Sequence, residues 1–171
     1  MNEMLQTATG QKRVCLVGCG RIAGVHAHNL AGEVDLCFCS RSLSSAEAMN
    51  KAHGGSGAYD SLDAVLDSEM DAAVICSPPE CHREQTVRLL QAGKSVLVEK
   101  PMCVTGAEVD EIGRVLQEGT DGFLMVAENY YYKPSLALIR RILSEGYLGP
   151  LRRVELKKLS SQVAVGWNPR S

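Results

Sequence analysis

Five short apolar runs, separated by segments with helical periodicity, constrain the fold of this chain more than any other feature. Near-continuous apolar runs are typical of parallel strands buried on both faces of a sheet. Their alternation with helices predicts a β-α-β-α-β-α-β-α-β order, and hence an α/β fold with a doubly wound parallel sheet. The runs are 14–17, 34–39, 72–76, 96–98 and 123–127.

Local signals predict where several helices begin and end. Two capping boxes are expected, Ser44 with Glu47 and Thr105 with Glu108. Pro134 is placed to open a helix that runs to about Glu145. Three glycines are expected to end helices in the left-handed conformation: Gly54, Gly93 and Gly146. Residues 53–57 are interpreted as a short loop rich in glycine and serine.

A glycine-rich turn directly follows the first apolar run and precedes a helix with apolar residues at Ile22, Val25 and Leu30. In such a turn the first glycine permits tight geometry, the second lets a pyrophosphate approach the backbone, and a small residue allows close helix packing. The helix also directs free N–H groups at the phosphates. We predict a dinucleotide site at Gly18, Cys19, Gly20, Arg21 and Ile22. The alternative is a glycine-rich turn that binds nothing.

The end of the second apolar run indicates which dinucleotide is preferred. NAD-specific sites place an acidic residue about 20 positions after the glycine-rich turn, where it binds the ribose 2′-hydroxyl. This chain has Ser40 and Arg41 there and no acidic residue. A hydroxyl and a guanidinium can bind a 2′-phosphate through charge-assisted hydrogen bonds, so NADP(H) is predicted. The alternative is that Arg41 is simply solvated and the cofactor is NAD.

Lys100 follows the fourth apolar run, between Glu99 and Pro101. Proline lacks an N–H group and restricts the turn, which keeps the preceding side chains in a reproducible direction. A lysine at this edge could exchange a proton with a substrate hydroxyl or carbonyl during hydride transfer. The alternative is an exposed lysine at the end of a strand.

Composition excludes several classes of protein. With 18 Lys and Arg against 20 Asp and Glu, the chain lacks the basic surface of a nucleic-acid-binding protein. No apolar stretch is long enough to span a bilayer and no signal peptide is present, so a cytoplasmic protein is expected, with no membrane partner. The seven cysteines suit neither a metal site nor a disulfide framework; those in apolar runs, Cys15, Cys37, Cys39 and Cys76, are expected to be reduced core residues.

Two further segments carry a family resemblance: Ser77-Pro78-Pro79-Glu80-Cys81-His82, and residues 91–101, which end in Glu99-Lys100-Pro101. Together with the glycine-rich turn they closely resemble the glucose-fructose oxidoreductase, inositol dehydrogenase and rhizopine catabolism (Gfo/Idh/MocA) family. The resemblance implies an NAD(P)-dependent oxidoreductase acting on sugars, cyclitols or similar small molecules. It also implies a Rossmann domain followed by an open-sheet α/β substrate domain.

The resemblance implies a role for particular residues. Lys100 would be the catalytic residue beside the nicotinamide and the substrate, and Glu99 would help to place it. The remaining cofactor contacts would come from Ser77, Pro78, Pro79, His82 and Asn129. His82 considered alone would more often be a helix-surface residue. Trp167 and Arg170 resemble a pair that touches the cofactor in some relatives.

The same resemblance divides the chain into a flexible segment 1–11, a Rossmann domain 12–128 and the incomplete start of a substrate domain, 129–171. The family's Asp-x-x-x-His segment is missing, and Tyr130-Tyr131-Tyr132-Lys133-Pro134 replaces its Tyr-Arg-x-x-Pro. A half-exposed strand is predicted over 151–165 with no sheet to join. We therefore expect a fragment of a longer protein, or a sheet supplied by another chain.

The whole protein is expected to form a homo-oligomer through its C-terminal sheet. Two other functions stay open: a non-catalytic NAD(P)-binding sensor or regulatory module, and an α/β domain that binds another nucleotide. The second has less support, because no Walker-type phosphate loop is present.

Overall fold

The computed structural model describes residues 11–155 and residue 157. Over these residues, strands and helices alternate from the start of the described chain. The elements are β1 Arg13–Val17, α1 Arg21–Leu30, β2 Asp35–Cys39, α2 Leu43–His53, β3 Gly57–Tyr59, α3 Leu62–Leu66, β4 Ala72–Ile75, α4 Pro79–Gln91, β5 Ser95–Val98, α5 Gly106–Glu118, β6 Leu124–Val126, the 3-10 helix Asn129–Tyr132, and α6 Pro134–Ser144.

The strands form one six-stranded sheet in the order β3-β2-β1-β4-β5-β6, and every pairing is parallel. The predicted doubly wound parallel sheet is therefore confirmed. The number of strands was wrong, because β3 was missed. Its three residues begin at Gly57, at the end of the segment that the sequence assigned to a loop. Its sequence, Gly57-Ala58-Tyr59, contains no aliphatic residue larger than alanine and so is not an apolar run; β3 forms by pairing with β2.

The core has two layers, one on each face of the sheet. Alternate residues of a strand point to opposite faces, so Cys15 and Val17 join one layer while Leu16 joins the other. The first layer contains buried residues from three helices, among them Val65, Leu90 and Ile112. The second layer contains alanines from two helices: Ala23 and Ala27 from α1 and Ala46 from α2.

The buried face of α1 differs from the apolar face that the sequence predicted, because it consists mainly of alanines. Ile22 and Val25 are 40% and 50% exposed, whereas Ala23 and Ala27 are fully buried. A helix that packs closely on a sheet needs small side chains at the contact, so alanine occupies the buried positions. Ile22 and Val25 therefore remain accessible near the glycine-rich turn, whereas Leu30 is partly buried and packs against the second layer, as predicted.

Most of the predicted helix boundaries are confirmed. Thr105 and Glu108 form a complete capping box at the start of α5, and α6 begins at Pro134. The three glycines expected to end helices have positive φ: Gly54, Gly93 and Gly146. The Ser44–Glu47 capping box was wrong. The N-cap of α2 is Ser42, which makes no side-chain capping bond, and the Ser44 hydroxyl lies 2.8 Å from that of Ser42.

The chain divides into two compact units between Glu128 and Asn129. In the second unit, Arg140 stacks on the Tyr131 ring and donates a hydrogen bond to the Tyr131 carbonyl oxygen. The strand predicted over 151–165 is wrong for residues 151–155, which have no regular secondary structure; 156 and 158–165 lie outside the described residues.

All seven cysteines are free, and the four in apolar runs are buried, as expected for reduced core residues. No helix in the described part of the chain is both long and apolar enough to cross a membrane.

Candidate cofactor and substrate site

The site lies where the winding of the sheet reverses. From β1 the chain proceeds outward through β2 and β3, whereas β4, β5 and β6 extend the other side of the sheet. Ligands of such sheets bind in the crevice at the carboxyl ends of the strands on either side of the reversal, here β1 and β4. The glycine-rich turn follows β1, and the Ser77-Pro78 turn follows β4. The topology thus brings both predicted segments to one edge.

Gly18 makes the close contact between these two turns. Its φ is +100°, which side chains other than hydrogen rarely permit. A Cβ added there would lie 2.6 Å from the Ser77 nitrogen and 2.7 Å from the Cys76 carbonyl carbon. The Gly18 N–H donates to the Cys39 carbonyl oxygen at 2.8 Å, which also ties the turn to the end of β2. Only glycine fits this position without displacing backbone.

The start of α1 is open to a ligand. Its N-cap is Gly20, no side chain caps it, and no acidic residue lies in its first turn. A Cβ added at Gly20 would meet no atom within 4 Å, so the space above this residue is free. Arg21 and Ile22 are exposed beside it. An uncapped helix N-terminus with free space over a glycine suits an anionic group such as a pyrophosphate.

Thiols at this edge are poor nucleophiles. Burial raises the pKa of the Cys19 thiol, which lies 3.5 Å from the Cys39 carbonyl oxygen. Burial, together with the nearby Glu99 carboxylate, raises the pKa of Cys76 to about 12. Both side chains therefore stay protonated at neutral pH and carry no thiolate chemistry.

His82 joins the loops that follow β4 and β5. It is 1% exposed, and its ring nitrogens each lie 2.8 Å from a backbone carbonyl oxygen, Nε2 from Ser77 and Nδ1 from Pro101. Carbonyl oxygens only accept hydrogen bonds, so a neutral ring donates to one of them. The helix-surface alternative for His82 is therefore wrong. In the same loop, the Ser77 hydroxyl donates to Gln85 Oε1 at 2.6 Å.

Lys100 is exposed at the end of β5, and its peptide bond to Pro101 is cis. Its backbone N–H donates to Glu99 Oε2 at 3.1 Å. The other carboxylate oxygen of Glu99 lies 2.8 Å from His26 Nε2, on α1. No sequence pattern indicates this contact of His26, because 73 residues separate the two partners.

The end of β2 is more polar and more exposed. The Ser40 N–H donates to the Tyr59 carbonyl oxygen at 3.0 Å, while Arg41 is exposed and makes no side-chain hydrogen bond or ion pair within residues 11–155 and 157. Asp60 directly follows Tyr59, which pairs with Cys39. No acidic residue directly follows β2 in the sequence. Because β3 pairs with β2, Asp60 nevertheless lies at the end of the neighbouring strand.

Three further residues were predicted to contact the cofactor: Asn129, Trp167 and Arg170. Asn129 begins the 3-10 helix of the second unit. Trp167 and Arg170 lie outside the described residues. In the described part of the chain, no three His, Cys, Asp or Glu side chains are grouped as metal ligands.

These features define a Rossmann-type dinucleotide-binding domain: a doubly wound parallel sheet with a glycine-rich turn at its switch point and an open helix N-terminus above it. The model of one family matches residues 12–127, which is most of this chain. The chain belongs to the oxidoreductase family GFO_IDH_MocA, whose matched region is the NAD-binding Rossmann fold.

Individual relatives agree with that assignment. Inositol 2-dehydrogenase of Rhizobium meliloti is 30% identical over 148 residues, which cover 84% of this chain and 44% of that protein. The WlbA dehydrogenase of Chromobacterium violaceum, solved with NADH and UDP-GlcNAcA, is 26% identical with a TM-score of 0.75, covering 84% of this chain and 42% of that one.

A third relative was solved with the phosphorylated cofactor. KijD10, a 3-ketoreductase from Actinomadura kijaniata in complex with NADP, is 26% identical with a TM-score of 0.69, covering 81% of this chain and 45% of that one. This chain therefore spans less than half the length of the relatives that it matches.

Proposed function

We propose that this chain supplies the cofactor-binding part of an NAD(P)-dependent oxidoreductase that acts on a hydroxyl or carbonyl group of a sugar, cyclitol or similar small molecule. The observation that carries the proposal is the meeting of three features at one sheet edge: the glycine turn at Gly18, the uncapped start of α1, and Lys100 at the end of β5. Membership of an oxidoreductase family supports the reaction class.

Residues 12–128 are proposed to bind the cofactor, and residues 129–171 to belong to the start of a substrate domain. The backbone of Gly18, Cys19 and Gly20 would cradle the pyrophosphate, with Arg21 and Ile22 at its side. Ser77 and Pro78 would border the nicotinamide ring, and Asn129 stays a proposed cofactor contact. His82 is buried against two carbonyl groups. We therefore propose that it stabilises the Ser77-Pro78 turn and makes no direct bond to the cofactor.

Lys100 is proposed to exchange a proton with the substrate oxygen. When bound, the nicotinamide accepts or donates the hydride. During oxidation of a hydroxyl group, the O–H proton passes to Lys100 Nζ; during reduction of a carbonyl group, Lys100 returns a proton to the oxygen. Glu99 fixes the Lys100 backbone through its 3.1 Å hydrogen bond, so the reactive amine extends from a fixed point. The family's second proton-transfer residue, a histidine, would come from sequence outside this chain.

NADP(H) is proposed as the preferred cofactor. Ser40 offers a hydroxyl beside the expected ribose position, and Arg41 offers a cation that has no side-chain partner in the described part of the chain; KijD10 was crystallised with NADP. Asp60 favours the competing choice, NAD, because a carboxylate at this edge repels a 2′-phosphate and can accept from a ribose hydroxyl. Replacing Asp60 with Asn therefore strengthens binding of NADPH and leaves binding of NADH unchanged or weaker.

Titration with reduced cofactors tests the proposal directly. We expect the chain of residues 1–171 to enhance NADPH fluorescence with a dissociation constant in the micromolar range or below, and to bind NADH more weakly. No binding of either cofactor would overturn the cofactor assignment. Tighter binding of ATP or a flavin than of NADPH would favour an α/β domain for another nucleotide.

The reaction itself needs the natural protein in its whole length. Its C-terminus is first read from the intact mass, and its subunit number from light scattering; a homo-oligomer in the cytoplasm is expected. Turnover is then measured with myo-inositol, a glucoside and UDP-GlcNAcA as hydride donors to NADP⁺ or NAD⁺. Oxidation of at least one supports the proposed reaction. Cofactor binding with no turnover on the whole panel would favour a sensor or regulatory module.

A further inference from the structure

His26 connects the helix at the phosphate turn with the segment that carries Lys100. It lies on α1, and its Nε2 is 2.8 Å from Glu99 Oε1 at the end of β5. Both side chains are largely shielded from solvent: 19% of His26 and 15% of Glu99 remain exposed. A hydrogen bond of this length between partly buried side chains restricts both of them.

Glu99 is held at three points. One carboxylate oxygen contacts His26, the other accepts from the Lys100 N–H at 3.1 Å, and the Glu99 N–H donates to the Ile75 carbonyl oxygen at 3.0 Å. Without His26, the carboxylate loses the partner that sets its rotation. The hydrogen bond to the Lys100 backbone would then compete with water and with other rotamers.

Residue His28 provides an internal comparison. It lies on the same helix, two positions further on, but it is exposed and makes no side-chain hydrogen bond or ion pair within the described chain. The two histidines therefore have the same residue type, the same helix and nearly the same sequence position. Only His26 contacts the segment that carries Lys100.

We propose that His26 is a positioning residue for Lys100 and acts through Glu99. This inference rests on the proposed function, in which Lys100 exchanges a proton with the substrate. The hydrogen bond of His26 is to Glu99 and not to Lys100. It restrains the Glu99 carboxylate, which in turn accepts the hydrogen bond from the Lys100 backbone N–H. Because α1 also begins at the phosphate turn, His26 sets the position of Lys100 relative to the helix that meets the cofactor.

A structural readout tests the linkage without turnover. Exchange of the Lys100 amide proton is followed by NMR in residues 1–171 of the wild type and of His26→Leu, His26→Gln and His28→Leu. We expect His26→Leu to accelerate this exchange about tenfold, because the amide loses a fixed acceptor. His26→Gln retains an N–H donor and restores most of the protection, and His28→Leu leaves it unchanged.

A kinetic readout tests the consequence in the whole protein, with the substrate that the panel identifies. His26→Leu is expected to lower kcat about tenfold to a hundredfold, the range for a misplaced catalytic group, while KM and NADPH affinity change less than about threefold. His26→Gln should recover much of the loss in kcat. Thermal unfolding of each variant separates this effect from general destabilisation.

A double-mutant cycle tests whether His26 acts through Glu99. In a Glu99→Ala background, His26→Leu should have no further effect on kcat, because its target is already absent. Multiplied effects of the two substitutions would overturn the proposed route. If His26→Leu does not fold, His26→Asn takes its place, because the shorter amide does not reach Glu99 Oε1.

The outcomes distinguish this inference from the proposed function. Wild-type turnover together with unchanged Lys100 exchange and unchanged kcat in the His26 variants overturns the positioning role alone. Wild-type protein that oxidises no member of the panel overturns the proposed reaction, and the positioning role with it.

Discussion

The strand ends on the two sides of the glycine-rich turn are built differently. At the ends of β4 and β5, the loops are joined by contacts between distant elements: His82 lies between two backbone carbonyls, and Glu99 lies between His26 and the Lys100 N–H. At the end of β2, Arg41 extends into solvent with no side-chain partner in the described residues.

This difference matches the tasks proposed for the two sides. Proton and hydride transfer require atoms placed within a fraction of an ångström before the ligand arrives, and buried hydrogen bonds provide that rigidity. Recognition of a ribose phosphate requires mainly opposite charge, which an exposed arginine supplies after the ligand has bound. Substitutions on the β4 and β5 side should therefore change rate and stability, and those on the β2 side should change cofactor choice.

The largest effect is expected from Lys100→Ala. Loss of the proton-transfer group should lower kcat in the whole protein by about 10²–10⁴-fold, with NADPH affinity changed less than about threefold. Steady-state kinetics and fluorescence titration measure the two quantities. Lys51→Ala, at an exposed position of α2, is the matched control and should change neither kcat nor NADPH affinity. Normal turnover of Lys100→Ala would remove the proton-transfer role.

Gly18→Ala should reduce stability strongly. The added Cβ would meet the Cys76 and Ser77 backbone in a positive-φ conformation, which costs about 2–4 kcal/mol of unfolding free energy. Gly20→Ala is the sharper comparison, because its Cβ meets no protein atom and its φ is −85°. It should fold normally yet bind NADPH more weakly. Equal stabilities in urea unfolding would contradict the packing argument.

His82→Ala tests the rigidity of the β4 and β5 side. It removes the ring N–H donor from one of the two carbonyls, that of Ser77 or that of Pro101, and opens a space at a buried position, so the free energy of unfolding should fall by about 2–3 kcal/mol. Chemical denaturation provides the measurement. His28→Ala, at an exposed position, should change stability by less than about 1 kcal/mol. An equally small effect at His82 would show that the loops do not depend on it.

The smallest effect, and the most selective, is expected from Arg41→Asp. The substitution should weaken NADPH binding about tenfold by losing a charge-assisted hydrogen bond and adding repulsion, while NADH binding stays the same or becomes tighter. Arg114→Asp, on the exposed surface of α5, makes the same change in charge away from β2 and should alter neither affinity. An unchanged preference in Arg41→Asp would remove the 2′-phosphate assignment.

Local patterns predicted the elements that local forces form. The apolar runs became β1, β2, β4, β5 and β6, and Thr105 caps α5, because these elements depend on neighbouring residues. Two predictions failed because the deciding partner is distant in sequence. β3 exists through its pairing with β2, and α1 buries alanines because the sheet lies close beneath it.

The sequence by itself determined that a parallel sheet would bring the glycine-rich turn and Lys100 to one edge, since strand polarity follows from the alternation of strands and helices. Only the tertiary structure decided what surrounds them. The contact of His26 with Glu99 joins residues 73 positions apart, and the burial of His82 depends on two loops that follow different strands. Hydrogen bonds of this kind depend on the final packing of helices against the sheet, which no short stretch of sequence specifies.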